Sequence, residues 1–201
     1  NNVHCLVKDK NGFLWIGTEN GLSCFDGIRF KNFVFNPADS NSIPGNTIRD
    51  LYVDSKNNLW IATYDNGLCK RNYITGKFER FLHSEHNPNS IANNSTMCVA
   101  EDNDGNIWVT LWNKGIDKFD EKLNKFEHYT FDDKSVKGFN FNLCNKIEKN
   151  SKGNFQIICK FGIIDFNPTT KAFKRVYRPF DDVKTQQAFN CFISICIDDS
   201  D

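Results

Sequence analysis

The sequence predicts an all-β chain, a partial β-propeller of four four-stranded antiparallel blades plus the first strand of a fifth. Two observations carry that prediction. The first is a stretch that returns. Asp9-Lys10-Asn11-Gly12-Phe13-Leu14-Trp15-Ile16-Gly17-Thr18 comes back as Asp54-Ser55-Lys56-Asn57-Asn58-Leu59-Trp60-Ile61-Ala62-Thr63 and as Asp102-Asn103-Asp104-Gly105-Asn106-Ile107-Trp108-Val109-Thr110. A decayed copy opens at Asn150, with Gln156 in the tryptophan position, and a fifth opens at Asp198. The first two copies start 45 residues apart and the later ones 48, inside the range of roughly 40–50 residues expected of propeller blades. The second observation is that each period breaks into four short β-prone runs. No stretch of about 10–15 residues with helical periodicity lies between them, which rules out a βαβ array.

Within a unit the elements follow in order. The first run, residues 2–9, has Val3 and Leu6 as apolar anchors; later units carry Ile48 and Leu51, Thr96 and Val99, Cys144 and Ile147, and Phe192 and Ile195. A spacing of three would suit a helix. The run is short, however, and ends at the turn signal Asp-x-x-Gly, so a strand is expected. The second run, 13–18, is rich in aromatic and β-branched residues, as strands are. The third is Gly21–Phe25, with counterparts at 67–71, 115–119 and Gly162–Phe166. The fourth, 29–34, recurs at 77–82, 125–130 and 172–177. Sheets of this kind, stacked radially, make a propeller. The expected blades are about 1–45, 46–93, 94–141 and 142–189, with the fifth opening in 190–201, all in one domain.

Long connectors join each unit to the next, at 35–45, 83–93, 131–141 and 178–189. An asparagine stands eight residues before every repeat marker: Asn1, Asn46, Asn94, Asn142 and Asn190. A ring of amides around a central ligand is one reading. The better one is structural, an Asx turn tying each connector to the entry of its inner strand, because a small asymmetric ligand has no need of one residue from every blade.

Lysine plus arginine equals aspartate plus glutamate, 25 each. A chain with no basic excess argues against nucleic acid as a partner. No apolar stretch approaches the ~20 residues of a membrane span and no signal peptide opens the chain, so no direct membrane contact is expected of these residues. With no initiator methionine and a repeat cut in its fifth copy, the sequence reads as a piece of a longer protein, a partial arc whose remaining blades are its first partners. The eight cysteines show neither CxxC pairs nor regular spacing and are expected to act as small buried hydrophobes. Gly-x-Ser-x-Gly, His-Glu-x-x-His and glycine-rich phosphate loops are all missing. His83 and His86 are read as unliganded, and Asp102-Asn103-Asp104-Gly105 as a hairpin turn lacking the distant glutamate of a calcium loop. No catalytic residue, metal or cofactor is expected.

The motif Asp-x-x-Gly-x-Leu-Trp-Ile-Gly-Thr, followed by Gly-Leu and Phe-Asp, resembles the two-component regulator propeller repeat. The connector Asn36-Pro37-Ala38-Asp39-Ser40-Asn41-Ser42-Ile43 strengthens the match. The departures are Gln156 for tryptophan, Cys159 for threonine, and Arg71 where the other units have Phe25, Phe119 and Phe166. The resemblance implies the sensor region of hybrid two-component regulators from glycan-degrading bacteria. In that family a propeller of about seven blades precedes a transmembrane helix and a histidine kinase. It further implies a periplasmic location, a parent anchored in the inner membrane, and detection of an oligosaccharide or its breakdown product without chemistry.

Two columns of the repeat are candidate functional positions. Trp15, Trp60 and Trp108 recur at one strand position, which marks core packing between blades rather than sugar stacking. Four residues on, the column reads Glu19, Tyr64, Trp112 and Lys160. Its loop is expected on the face of the long connectors, and its residue type changes inside a fixed frame, where recognition is usually placed. Tyr64 with Asp65 and Asn66, and Trp112 with Asn113 and Lys114, pair an aromatic platform with amide and charged groups suited to a polyhydroxylated ligand. Ordinary variable surface would show the same pattern. Two other functions compete: a protein-binding or dimerising propeller, a homodimer being expected of the parent, and a propeller lyase or glycosidase.

Overall fold

In the computed structural model, residues 2–131, 142–160 and 162–177 are described. Among them, sixteen strands form four separate four-stranded sheets, each antiparallel and in chain order. The first blade is β1 (Val3–Lys8), β2 (Leu14–Thr18), β3 (Gly21–Phe25) and β4 (Phe30–Phe33). The second is β5 (Ile48–Val53), β6 (Leu59–Thr63), β7 (Leu68–Arg71) and β8 (Phe78–Phe81). The third is β9 (Thr96–Glu101), β10 (Ile107–Leu111), β11 (Gly115–Asp120) and β12 (Lys125–Tyr129). The fourth is β13 (Cys144–Lys149), β14 (Phe155–Cys159), β15 (Gly162–Phe166) and β16 (Phe173–Tyr177). The expected fifth-blade strand, Asn190, Asn1, the connector 178–189 and most of 131–141 lie outside the described residues.

The apolar spacing of three in the first strands has a structural cause. Register shifts between Val3 and Cys5, Ile48 and Asp50, and Cys144 and Lys146, with a matching one at Thr110/Leu111 opposite β9. One extra residue inserted there turns a period of two into a step of three on one face. Ile48 and Leu51 accordingly pair with Thr63 and Ile61, which are two apart on β6.

Burial lies between blades rather than within them. One core joins Trp15, Leu22 and Ile43 to Leu51, Leu59 and Ile61; a second joins Trp60 and Leu68 to Val109 and Phe119; a third joins Trp108 and Ile116 to Phe155 and Phe166. Each sheet is stable because its neighbour covers it, as in other stacked-repeat chains. The first blade shows the converse. Leu6 and Phe30 are 59% and 62% exposed, whereas Leu51 and Phe78, at the same positions of the second blade, are 6% and 9% exposed. Cys69, Cys98, Cys144 and Cys159 are buried thiols and Cys5 and Cys24 half-buried ones.

Candidate functional site

Each repeat opens with an aspartate whose carboxylate organises the turn and then reaches the tryptophan. Asp9, Asp54 and Asp102 each accept backbone N–H bonds from residues two and four further on. Their second oxygens accept the indole N–H of Trp15, Trp60 and Trp108, all at 2.9 Å. The indoles lie against the next blade: Trp60 is 5.6 Å from Phe119, and Trp108 is 5.2 Å from Phe166, both edge to face. Asp102-Asn103-Asp104-Gly105 forms such a turn, with Gly105 at φ 80°.

The repeated asparagines fasten the connectors. Asn46, Asn94 and Asn142 Oδ1 accept the N–H groups of Phe35, His83 and Phe131, each at 2.7 Å. Their own carbonyls accept the N–H of Gly21, Gly67 and Gly115 at the third strand of the blade before. Each amide therefore closes its connector onto a residue eleven positions back, a longer tie than an Asx turn. His83 Nδ1 lies 2.8 Å from the Ile91 carbonyl.

The variable column has a constant backbone beneath changing side chains. The N–H groups of Glu19, Tyr64, Trp112 and Lys160 donate to the carbonyls of Asn2, Thr47, Ser95 and Leu143, just ahead of the inner strands. The side chains project outward: Tyr64 is 46% and Trp112 45% exposed, and Glu19, Asp65, Asn66, Asn113, Lys114 and Lys160 are exposed as well. Asp65 and Asn113 sit at φ 61° and 62°, the left-handed turn that aims the tips of these loops. Arg49 lies 4.6 Å from the Tyr64 ring centre, and Asn93 Nδ2 donates to the Trp112 carbonyl at 3.0 Å. Glu19 accepts from Asn2 Nδ2 at 3.1 Å, and that bond, with the His4 ring, holds its carboxyl below the ordinary range. The predicted residues thus share one blade position on the connector face without closing on a single cavity.

A charged cluster on the inner strands was not anticipated. Asp50, Cys98 and Lys146 come together where β5, β9 and β13 adjoin: Lys146 Nζ is 3.9 Å from Asp50 and 3.3 Å from Glu148, and Asp50 accepts the Val99 N–H at 2.9 Å. Burial raises Asp50 despite Lys146. Burial opposes the charged form of Lys146, but Cys98, Asp50 and Glu148 outweigh it and hold the amine above its ordinary value. The signal was present in the sequence: the column Cys5, Asp50, Cys98 and Lys146 also varies from unit to unit.

Known proteins agree with this geometry. The family model described as "Two component regulator propeller" matches residues 1–20, 42–65 and 90–113, the three well-formed turn-and-strand units. Over those residues the chain matches the two-component regulator propeller repeat. Over 38 residues it is 53% identical to a histidine kinase of Formosa agariphila, a stretch that is 19% of this chain and 3% of that protein. The extracellular domain described as that of a hybrid two-component system from B. thetaiotaomicron is 28% identical, with a TM-score of 0.64 over 87% of this chain and 30% of that one. Virginiamycin B lyase from Staphylococcus aureus, 16% identical, has a TM-score of 0.67 over 88% of this chain and 56% of that one, a likeness of fold alone.

Seen as two-component regulator propeller repeats, the three blade junctions differ in how their tryptophans are covered on the turn side. Between blades two and three, Lys70 lies 5.4 Å from the Trp60 ring centre and bonds Glu121 at 2.6 Å, and Glu121 also pairs with Lys56. Between blades three and four, Lys171 stands 4.6 Å from the Trp108 ring centre. Between blades one and two, Arg71 lies 4.9 Å from the Trp15 ring centre, beside a cavity of about 410 Å³. Among the described residues no cluster of three or more metal-ligating side chains could hold an ion, and no helix is long and apolar enough to cross a membrane.

Proposed function

We propose that this chain is part of the sensory propeller of a hybrid two-component system. It recognises an oligosaccharide or its breakdown product outside the cytoplasm and passes the bound state to a histidine kinase without catalysing a reaction. The supporting observation is the contrast on the connector face. A hydrogen-bonded frame repeats in four blades, while the side chains it presents change from Glu19 to Tyr64 to Trp112 to Lys160. Rigid scaffolds carrying variable exposed loops are where binding residues concentrate. The parent protein is anchored in the inner membrane and acts as a dimer in this reading. In the same reading a further blade of the parent covers Leu6 and Phe30, which are exposed here.

Calorimetric titration of the full chain with a panel of oligosaccharides is the test. Saturable binding without turnover supports the sensor. Cleavage of a panel member would transfer the assignment to an enzyme, and a panel that neither binds nor reacts would transfer it to protein recognition.

A further inference from the structure

The first blade junction is built differently from the other two, and the difference is chemical. Phe119 and Phe166 cover Trp60 and Trp108 from the following blade. At that position the second blade has Arg71, whose guanidinium lies 4.9 Å from the Trp15 ring centre. Arg71 Nε is buried and makes no hydrogen bond. Among the described residues no carboxylate lies within ion-pair distance of Arg71, Arg29 or Lys31, in contrast to Lys70 with Glu121. Of the two acids at the junction, Asp9 accepts the N–H groups of Asn11 and Phe13 on one oxygen and the Trp15 indole on the other, and Asp26 Oδ1 accepts the N–H groups of Ile28 and Arg29.

A half-buried cation with no counter-charge is stabilised when an anion reaches it. Here the way in is open. The cavity of about 410 Å³ is lined by Arg71, Arg29 and Lys31, by Asp9 and Asp26, and by the Tyr73 ring. That volume lies within the roughly 300–1,000 Å³ of small-ligand sites. A guanidinium fork accepts a carboxylate or sulfate through two parallel N–H bonds, while aromatic faces accept the apolar face of a ring.

We infer that this cavity binds an acidic saccharide, with Arg71 holding the carboxylate or sulfate and the exposed Tyr73 bordering the sugar ring. The inference rests on the glycan-sensing reading and gives it a substrate class. It adds a second site for that class, on the turn side of the first junction and apart from the connector face. Arg71 is a ligand-binding residue here, and Arg29 and Lys31 add to the positive potential that draws the anion in.

The test is calorimetry on the full chain with α-1,4-galactobiose, digalacturonate of the same linkage and a sulfated galactobiose. The acidic sugars are expected to bind about tenfold or more tightly than the neutral one, the scale of one charge-assisted hydrogen bond. Their affinity should fall as salt is raised. Arg71→Phe restores the residue of the other blades, so the thermal midpoint should hold while acidic-sugar affinity drops about tenfold or more. Acidic-sugar binding that survives Arg71→Phe would overturn the site. Binding confined to neutral sugars would overturn the inference and leave the sensor reading standing; binding of no sugar would overturn both. If Arg71→Phe unfolds the chain, Arg71→Gln in its place keeps the shape and removes the charge, and undiminished binding by that variant overturns the site equally.

Discussion

The indole of Trp60 donates to Asp54 Oδ2 at 2.9 Å, six residues back across the turn that joins β5 to β6. The same carboxylate accepts the N–H groups of Lys56 and Asn58 and the Asn58 side-chain amide. Turn and blade contact are thus one unit. The fourth blade supports that view from inside the chain. It has Asn150 where the carboxylate stands and Gln156 where the indole stands, so both partners changed together.

Removing the ring and removing only its donor should therefore cost different amounts. Trp60→Ala is expected to lose about 3–5 kcal/mol, because the emptied volume faces two blades. Trp60→Phe keeps most of the packing and should lose about 1–3 kcal/mol, the cost of a buried acceptor deprived of a donor. Urea denaturation of the two variants checks the order. An alanine variant as stable as the parent would mean that the tryptophan is not core.

Stability should fall on the acid side. Hydrogen bonds from Lys56 and then Lys70 pull Glu121 down to about 2. Burial pushes Asp102 up, but bonds from Trp108 and Asn106 outweigh it and leave its carboxyl lowered. A depressed folded-state value means stability that is present above the unfolded value and lost as pH falls through the folded one. For Glu121 the window runs from its ordinary 4.5 to about 2. Denaturation midpoints recorded across that window should decline, and less steeply in Glu121→Gln. Identical slopes in the two proteins would contradict the assignment.

A second pH effect has the opposite sign. His128 Nδ1 is 2.8 Å from Asp117 Oδ1 and its Nε2 is 3.2 Å from the Pro88 carbonyl, so both nitrogens face acceptors and the imidazolium satisfies both. Asp117 is fully buried and also accepts the Ala92 N–H at 2.8 Å. Together the two side chains pin the connector 83–93. The bond to Asp117 raises His128 even though burial opposes it, and burial raises Asp117 despite His128. His128 therefore holds its proton more tightly when folded. Its contribution is complete below the ordinary histidine value of 6.5 and is lost as pH rises through the raised one, whereas that of Asp117 is complete only below 3.8. The stability difference between the parent and His128→Gln should shrink as pH rises above about 6.5. A difference that is constant with pH would assign His128 a packing role only.

Much of this architecture was legible because the repeat states each element several times. The four strands per unit, the inter-blade tryptophans and the connector asparagines all show as columns. The step of three in the first strand was also visible, but its cause was not: a bulge is a property of pairing, and Ile48 and Leu51 reveal it only when Thr63 and Ile61 are seen opposite them. Arg71 stood out in the sequence as a departure, yet its lack of an ion-pair partner depends on where Asp9 and Asp26 spend their oxygens. The Asp50–Lys146 pair was hidden for a different reason. The two residues are in different blades, and only the shared axis of the inner strands brings them to 3.9 Å.

The connector face gives the last prediction. Trp112 is 45% exposed, and its backbone bonds Ser95 and Asn93. Tyr64 is 46% exposed and keeps only the Arg49 stacking contact, worth about 0.5–1 kcal/mol at an exposed site. Trp112→Ala should therefore change unfolding free energy by under about 0.5 kcal/mol, since exposed side chains away from a core contribute little. Tyr64→Ala should cost no more than the Arg49 contact. If these side chains read a neutral glycan, the double variant should lose its binding while keeping the parent's melting profile. Glu19 and Lys160 occupy the flanking blades at the same position, so charge reversal at either should shift affinity in a salt-dependent way. Unchanged affinity in the double variant, measured with any neutral oligosaccharide that binds the parent, would remove the connector face from recognition. The variable column would then be ordinary surface.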